Sequence, residues 1–105
     1  MTYFVEITID ASRQLSKMDN SIRERIKAKI NSLKNNPDIG KPIGRSEFLD
    51  AMVWELRLFS PNVRIYYTVH KHEIVIEEII YEGNVRVHKI GDKRSQRKDI
   101  GDMMG

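Results

Sequence analysis

The chain contains no cysteine, and only three of its 105 residues are proline. Without cysteine it can form no disulfide bond, thiolate zinc site or cysteine nucleophile, which favours a reducing compartment. Its apolar runs are a few residues long, far short of the roughly 20 residues needed to cross a bilayer, and no signal-peptide pattern is present. We therefore expect a single cytoplasmic domain over residues 1–105, with no membrane association.

Basic residues are concentrated towards one end of the chain. The segment 86–98 holds six Lys and Arg residues and a single Asp, a net charge of +5, whereas the whole chain carries only +3. The rest of the chain is therefore slightly acidic, and the positive field has one main source. This asymmetry predicts a polyanion or an acidic protein as partner, and the alternative is a solvated basic tail that binds nothing.

Alternating and helical patterns predict the first three elements. Residues 3–9 alternate apolar with polar side chains, as a strand does. Asp10 is predicted to cap a short helix, and Ser21 with Glu24 has the spacing of a capping box that begins a second helix. The second helix is expected to end before Pro37, because proline lacks the amide hydrogen. The two helices should form a helical hairpin.

A β-hairpin is predicted in the middle of the chain. Residues 38–50 mix a proline and two glycines with polar residues, which indicates an irregular surface connection. Residues 52–59 and 63–69 both alternate apolar with polar side chains, and the Ser-Pro-Asn sequence between them is typical of a turn.

The alternation also predicts the register of this hairpin. A two-residue turn at residues 61–62 places Arg57 opposite Tyr66. The same turn places Arg64 opposite Phe59. The side chains expected to share the face away from the apolar set are Glu55, Arg57, Arg64 and Tyr66.

The last third of the chain is predicted to complete the sheet. Residues 74–81 are densely apolar, as in an interior strand. Gly83 and Asn84 then offer a tight turn, and residues 85–90 can return as a strand, with Arg86 and His88 on one side and Val87 and Lys89 on the other. The basic segment 92–105 is either a short helix or a flexible tail. The predicted fold is α+β, a mostly antiparallel sheet of four to five strands with the helical hairpin on one face.

Motifs for nucleotide-driven or hydrolase chemistry are missing from the sequence. It has no P-loop, G-x-G-x-x-G or G-x-S-x-G pattern. His70 and His72 would share one face of a strand, but no third metal ligand is near them in sequence, so neither a metal nor another cofactor is expected. What remains is a set of cations and aromatic residues: Arg57, Arg64, Tyr66, Arg86, His88, Lys93 and Arg94.

Such a set suits RNA. Guanidinium groups bind phosphate through a planar fork and stay charged at any working pH. Because the 2′-hydroxyl of RNA is an internal nucleophile, a protein accelerates cleavage by orienting the chain, stabilising the developing charge and supplying an acid or base. His88 is the member of the set whose ordinary pKa suits proton transfer. The structural alternatives are a surface position for His88 and an ion pair of Arg57 or Arg64 with Glu55.

Several segments together resemble a known family. Residues 53–58, Val-Trp-Glu-Leu-Arg-Leu, and residues 63–67, Val-Arg-Ile-Tyr-Tyr, resemble the central hairpin of the RelE/ParE toxin superfamily. With the preceding helix and connection, the resemblance covers about residues 3–70. Residues 87–94 are similar to the segment that closes the sheet in the RelE branch, and residues 93–100 are similar to the basic tail of the HigB-like branch.

The resemblance implies a toxin of a type II toxin–antitoxin system, held inactive by a cognate antitoxin protein. RelE-like and HigB-like members cut mRNA in the ribosomal A site, whereas ParE-like members inhibit DNA gyrase. The expected activity is that of a ribosome-dependent mRNA endoribonuclease that needs no metal or small-molecule cofactor. The alternatives are a gyrase inhibitor and a non-catalytic basic module of the same fold that binds RNA or protein.

The resemblance also implies roles for particular residues. Arg57 and Arg64 match the positions that bind and polarise the scissile phosphate in the RelE branch, and Lys93 or Arg94 matches the basic residue after the glycine. The predicted catalytic residues are Arg57, Arg64, His88 and Lys93, and the predicted substrate-binding residues are Tyr66, Arg86, Arg94 and Arg97.

Two features depart from the family pattern. The stretch from Glu73 to Gly91 is longer than the single closing strand of the shortest members, which predicts the additional turn at residues 83–84. Many RelE-like nucleases have a tyrosine near the carboxy terminus, and no aromatic residue follows Tyr81 here. Either His88 serves in its place, or the chain binds without cutting.

Overall fold

The computed structural model describes residues 2–105, which form three helices, one large mixed sheet and one small antiparallel sheet. The strands are β1 (Tyr3–Ile7), β2 (Lys41–Ser46), β3 (Ala51–Leu58), β4 (Val63–His70), β5 (Ile74–Ile76), β6 (Ile79–Tyr81) and β7 (Gly83–Gly91). The helices are α1 (Ile9–Ser16), α2 (Asn20–Ser32) and α3 (Gln96–Met104). The large sheet has the order β1-β7-β4-β3-β2, in which only β1 and β7 run parallel. This is the predicted α+β fold.

The two faces of the large sheet are covered differently. The helical hairpin of α1 and α2 packs on one face, where Ile26 and Leu33 meet Ile65, Tyr67 and Val87 in the main core. We call the opposite face the α3 face. At one end of it, Met103 of α3 packs against Val53 and Tyr66 in a smaller apolar cluster. None of the helices in the described residues is long and apolar enough to span a membrane.

The ends of the two first helices differ from the prediction. α1 is capped by Thr8, whose hydroxyl accepts a hydrogen bond from the Ala11 amide at 3.2 Å, so the predicted Asp10 cap is wrong. The Thr8 hydroxyl also donates to the carbonyl of His88 in β7, and this contact across the fold fixes where β1 stops. α2 begins at Asn20 rather than at a capping box on Ser21, and the side chain of its N-cap residue makes no capping hydrogen bond.

The predicted hairpin of β3 and β4 is confirmed, but its register differs by two residues. Arg57 lies opposite Arg64 and Tyr66 lies opposite Glu55, so the loop has four residues, 59–62, instead of two. Arg25 of α2 donates hydrogen bonds to the carbonyls of residues 59 and 60, at 3.1 Å and 2.7 Å, and thereby occupies two of the loop's backbone acceptors. A shift by two residues leaves each side chain on its predicted face. The predicted pairings are therefore wrong, whereas the predicted shared face is confirmed.

Two segments form strands where other structures were predicted. The supposed irregular connection 38–50 contains β2, which pairs with β3 around a bulge between Pro42 and Gly44. The supposed interior strand 74–81 is a small hairpin, in which β5 and β6 pair with each other and turn at Glu77 and Glu78. Both turn residues adopt positive φ, 50° and 69°. The additional turn lies there, and not at residues 83–84, which begin β7.

β7 confirms and extends the predicted last strand. Its register with β4 shifts between Tyr66, opposite Lys89, and Tyr67, opposite Val87, so that His88 is an extra residue in β7. The bulge breaks the alternation. Lys89 consequently reaches Asp102 of α3 at 3.1 Å, and does not share a side with Val87 as predicted. Beyond Gly91 the chain turns and forms α3, which is the helical one of the two predicted alternatives.

Candidate functional site

Two predicted arginines lie side by side on neighbouring strands of the large sheet, on its α3 face. Arg57 of β3 is directly opposite Arg64 of β4, and Arg64 is directly opposite Gly91 of β7. Directly opposed residues point to the same face. Register alone therefore brings both guanidinium groups to one end of the sheet, beside the turn that carries Lys93 and Arg94.

Glu55 holds the two arginines together. Its carboxylate lies 3.5 Å from Nε of Arg57 and 3.8 Å from Nε of Arg64. The Glu55 and Arg64 side chains are only 13% and 6% exposed, while Arg57 is 41% exposed. The ion pair that the sequence offered as the structural alternative is thus present, and it leaves the cluster with an excess positive charge.

Arg64 is buried without enough partners. Its Nε and Nη1 atoms have no hydrogen-bond partner, although its side chain is almost fully covered. The N-terminal end of α3 lies over the neighbouring strand: a Cβ atom at Gly91, the residue opposite Arg64, would collide with Ser95 and Asp99. An unpaired buried guanidinium nitrogen costs stability. Arg64 therefore keeps unsatisfied hydrogen-bond donors beneath the surface of the site.

Tyr66 shares the face with Arg64 but is fully buried. Its hydroxyl lies near the Gln96 side chain without a well-formed hydrogen bond, and burial, followed by the carboxylate of Glu55, raises its pKa to about 12. The phenol is therefore neutral at physiological pH. Because α3 packs on Tyr66, the ring is covered by the helix and is not accessible to a substrate.

An open depression of about 600 Å³ lies beside the arginine pair. Glu55 and Arg57 line it, and so do three residues that were not among the predicted site residues: Lys41 of β2, Phe59 of the loop and Gln96 of α3. Lys41 was missed because the segment around it was predicted to be irregular. Gln96 was missed because its helix was not assigned, and only the docking of α3 on the sheet brings it to β3.

The cations after Gly91 are all exposed: Lys93, Arg94 and Arg97. They follow directly on the residue that lies opposite Arg64 in the sheet. Arg94 donates to the carboxylate of Asp92 at 2.7 Å, a contact within the turn, and it lines a separate depression with Gln14 and Met18. Lys93 and Arg97 add exposed positive charge after Gly91, in agreement with the basic end predicted from the sequence.

His88 and Arg86 lie in a different part of the α3 face. The hydroxyl of Thr68 is 2.8 Å from Nε2 of His88 and 3.1 Å from Nε2 of His70. Burial, followed by the nearby guanidinium of Arg86, lowers the pKa of His88 to about 4. Arg86 itself pairs with Glu6 of β1 at 3.0 Å. The structure therefore does not bring these two predicted residues to Arg57 and Arg64.

The described residues, 2–105, contain no group of three or more His, Asp or Glu side chains placed to bind a metal ion. His70 faces Thr68, and its pKa is lowered mainly by burial. His72 is exposed in the connection after β4. The sequence predicted that the two histidines share one face of a strand. In the structure, His70 belongs to the half-buried cluster with Thr68 and His88, and His72 lies at the surface.

The sequence and the fold both match known toxins. A family model described as the ParE toxin of the type II toxin–antitoxin system parDE matches residues 5–92. No curated protein sequence matches the chain. The fold is similar to that of a mutant of the E. coli toxin RelE in the free state, with a TM-score of 0.67 at 21% identity, over 99% of this chain and 95% of that chain.

The toxin–antitoxin complex RelBE of E. coli contains a similar chain, with a TM-score of 0.62 at 24% identity, over 86% of this chain and 95% of that chain. These likenesses concern the fold, and the family model concerns the sequence of most of the chain. Together they show that the protein belongs to the RelE/ParE superfamily of type II toxin–antitoxin toxins.

Proposed function

We propose that this toxin is a ribosome-dependent mRNA endoribonuclease whose phosphate-binding site is formed by Arg57 and Arg64, with Lys93 as a further cation. The observation that carries the proposal is the pair of directly opposed arginines, in which Arg57 is 41% exposed and the buried Arg64 has two nitrogens without partners. Cations held in place before a substrate arrives suit a phosphate group that gains charge in the transition state.

The geometry suits cleavage by the 2′-hydroxyl of the RNA itself. The 2′-oxygen attacks phosphorus and loses its proton, the bond from phosphorus to the 5′-oxygen breaks, and the leaving oxygen takes up a proton from solvent. The products are a 2′,3′-cyclic phosphate and a 5′-hydroxyl. Glu55, in contact with both arginines, is the carboxylate placed to accept the first proton. His88 has a place in another cluster and plays no part in this scheme.

The antitoxin is proposed to act at the same end of the molecule. In the similar RelBE complex of E. coli, a toxin is bound to its antitoxin. In the present chain, the exposed Lys93, Arg94 and Arg97 follow Gly91, which lies opposite Arg64 in the sheet. An acidic segment of the antitoxin would be attracted to these cations and would deny RNA access to the site.

A substitution at Arg57 tests this site. Arg57→Ala removes an exposed cation, and it should slow cleavage of a defined mRNA in a translating ribosome extract by about 100-fold, the effect of removing one transition-state donor. Arg23→Ala is the matched control, because Arg23 lies on the surface of α2, where it contacts Asn20 and the carbonyl of Ser16. If Arg57→Ala cuts as fast as the control, the site is assigned wrongly.

The family model favours one second candidate, a gyrase-directed toxin, because the matching family is that of ParE. A supercoiling assay with purified gyrase separates the two. Inhibition of supercoiling by the wild-type protein, with mRNA left intact in the ribosome extract, would replace the endoribonuclease proposal. Binding of RNA that weakens steeply with salt, without cleavage or gyrase inhibition, would indicate the non-catalytic module instead.

A further inference from the structure

Phe59 presents an exposed aromatic ring beside the arginine pair. It is 62% exposed, and the Arg57 guanidinium carbon lies 5.8 Å from the centre of its ring. The loop that carries Phe59 is anchored to α2, because Arg25 donates hydrogen bonds to the carbonyls of Phe59 and Ser60. The ring is therefore held at a fixed place, next to a cation that the proposed function assigns to phosphate.

A single exposed phenylalanine is common on protein surfaces and needs no functional explanation. The surroundings of Phe59 are less common. Its ring borders the depression of about 600 Å³, whose wall also includes Lys41, Arg57 and the Gln96 amide. This volume lies within the range of pockets that hold small ligands. Phe48 is more exposed, at 74%, yet it borders a different depression, beside Lys89 and Asp102.

We propose that this depression is a nucleobase-binding subsite, in which a base next to the scissile phosphate stacks on Phe59. Unstacked bases of single-stranded RNA bind proteins by stacking on aromatic rings and on guanidinium planes. Phe59 with Arg57 offers both surfaces. The Gln96 side chain supplies one hydrogen-bond donor and one acceptor group for the edge of the base, and Lys41 adds positive charge for the backbone.

The inference rests on the proposed function, because it takes RNA as the ligand. It goes further in assigning a base contact, and with it a preference among RNA sequences, to Phe59 and Gln96. Stacking tolerates every base, so the stacking contact sets affinity. The choice among bases falls to Gln96.

The test uses short single-stranded RNAs that carry 2-aminopurine at one position each and 2′-O-methyl groups that prevent cleavage. With the wild-type protein, stacking should quench the fluorescence at one position strongly. Phe59→Ala should lose this quenching and bind about tenfold more weakly, the typical effect of removing one stacking aromatic residue. Phe59→Trp should restore both, and Phe48→Ala should match wild type.

Two outcomes overturn the subsite: no quenching at any position with the wild-type protein, or equal quenching with Phe59→Ala and Phe48→Ala. Phe59→Leu, which keeps an apolar side chain but not the ring, repeats the test if Phe59→Ala does not fold. Cleavage in the ribosome extract separates the two proposals. Quenching that depends on Phe59 without any cleavage would support the subsite and contradict the endoribonuclease. Cleavage with equal KM in Phe59→Ala and wild type would contradict the subsite alone.

Discussion

Two charged side chains are buried on the α3 face, and their burial is compensated to different degrees. Asp99 accepts hydrogen bonds from Gln14 of α1 at 3.1 Å and from Ser95 at 2.9 Å, which satisfy its carboxylate and fasten α3 to the helical hairpin. Arg64 has only the distant contact with Glu55 and two nitrogens without partners. The fold gains from Asp99, whereas Arg64 weakens it. A residue that is costly to the fold in this way is a candidate for function.

The cost can be measured with Arg64→Met, which keeps most of the length of the side chain and removes the charge. We expect the free energy of unfolding in urea to rise by about 1 kcal/mol, because the substitution removes two buried nitrogens that have no hydrogen-bond partner. Glu55 stays paired with Arg57 in this variant. mRNA cleavage should fall by about 100-fold in the same protein. A loss of stability beyond about 2 kcal/mol would show that Arg64 is a structural residue.

His88 gives a second prediction at this scale, on pH. Its pKa is about 4 in the folded protein, mainly because of burial, against 6.5 when exposed. As the pH falls, His88 is therefore protonated in the unfolded chain before it is protonated in the folded protein. The stability that the neutral side chain contributes is lost between about pH 6.5 and pH 4, and this contribution is constant above about pH 7. From about pH 7 to about pH 5, urea unfolding of wild type should lose about 2 kcal/mol more than that of His88→Gln. Equal losses would contradict a neutral, buried imidazole.

At the scale of elements, the segment 71–83 is an insertion at the end of a β-hairpin. His70 of β4 lies directly opposite Asn84 of β7, so a short turn could join them. Instead the chain makes the small sheet of β5 and β6, whose Val75, Ile79 and Ile80 side chains are exposed. Tyr81 packs edge-on against Phe4, with ring centres 5.5 Å apart. None of the residues 71–83 contributes a side chain to the two apolar clusters, so we expect the core not to depend on this segment.

Replacing residues 71–83 by Asn-Gly tests that independence. This dipeptide favours the tight turn that connects two antiparallel strands. The loss of the Tyr81–Phe4 contact costs about 1 kcal/mol, and a shorter loop offsets part of it. We expect a cooperative unfolding transition within about 2 kcal/mol of that of wild type, with an unchanged circular dichroism spectrum of the helices. A chain that no longer folds would show that β5 and β6 support the sheet.

The elements that the sequence predicts well are those whose pattern and pairing are local. The alternation of β3 and β4 and the stripe of α2 each bury one face, so their periodicity is visible. β2 was missed because it contains Pro42 and Gly44, and a bulge at that place lets it pair with β3 nevertheless. Residues 74–81 were misassigned because a hairpin that is apolar on both sides has the same composition as a buried strand.

The candidate site was predictable in part for the same reason. That Arg57 and Arg64 share one face was predictable, because both lie on the polar face of a hairpin with a regular alternation. The placement of His88 could not be predicted, since a one-residue bulge in β7 and the Thr68 hydroxyl decide where its ring lies. Gln96 and Phe59 reach the depression through the docking of α3 and the anchoring of a loop by Arg25, contacts that no local pattern in the sequence reports.

At the scale of the whole molecule, positive charge is concentrated in one segment of the chain, which passes beside Arg64 in the sheet. The rest of the chain is slightly acidic, whereas the segment 86–98 carries a net charge of +5. Part of this charge is used within the fold: Lys89 binds Asp10 and Asp102. Lys93 and Arg97 are exposed and follow Gly91, which lies opposite Arg64 at the end where β4 begins and β7 ends. A polyanion would therefore be attracted to the same end that holds the proposed site.

This toxin is proposed to cut mRNA on the ribosome. Primer extension on a defined mRNA, in a translating extract with and without the purified protein and repeated without ribosomes, tests target and chemistry together. We predict new 5′ ends inside codons at the A site, present only when ribosomes and the protein are both included. An mRNA that stays intact under conditions in which a control nuclease cuts it would contradict the claim.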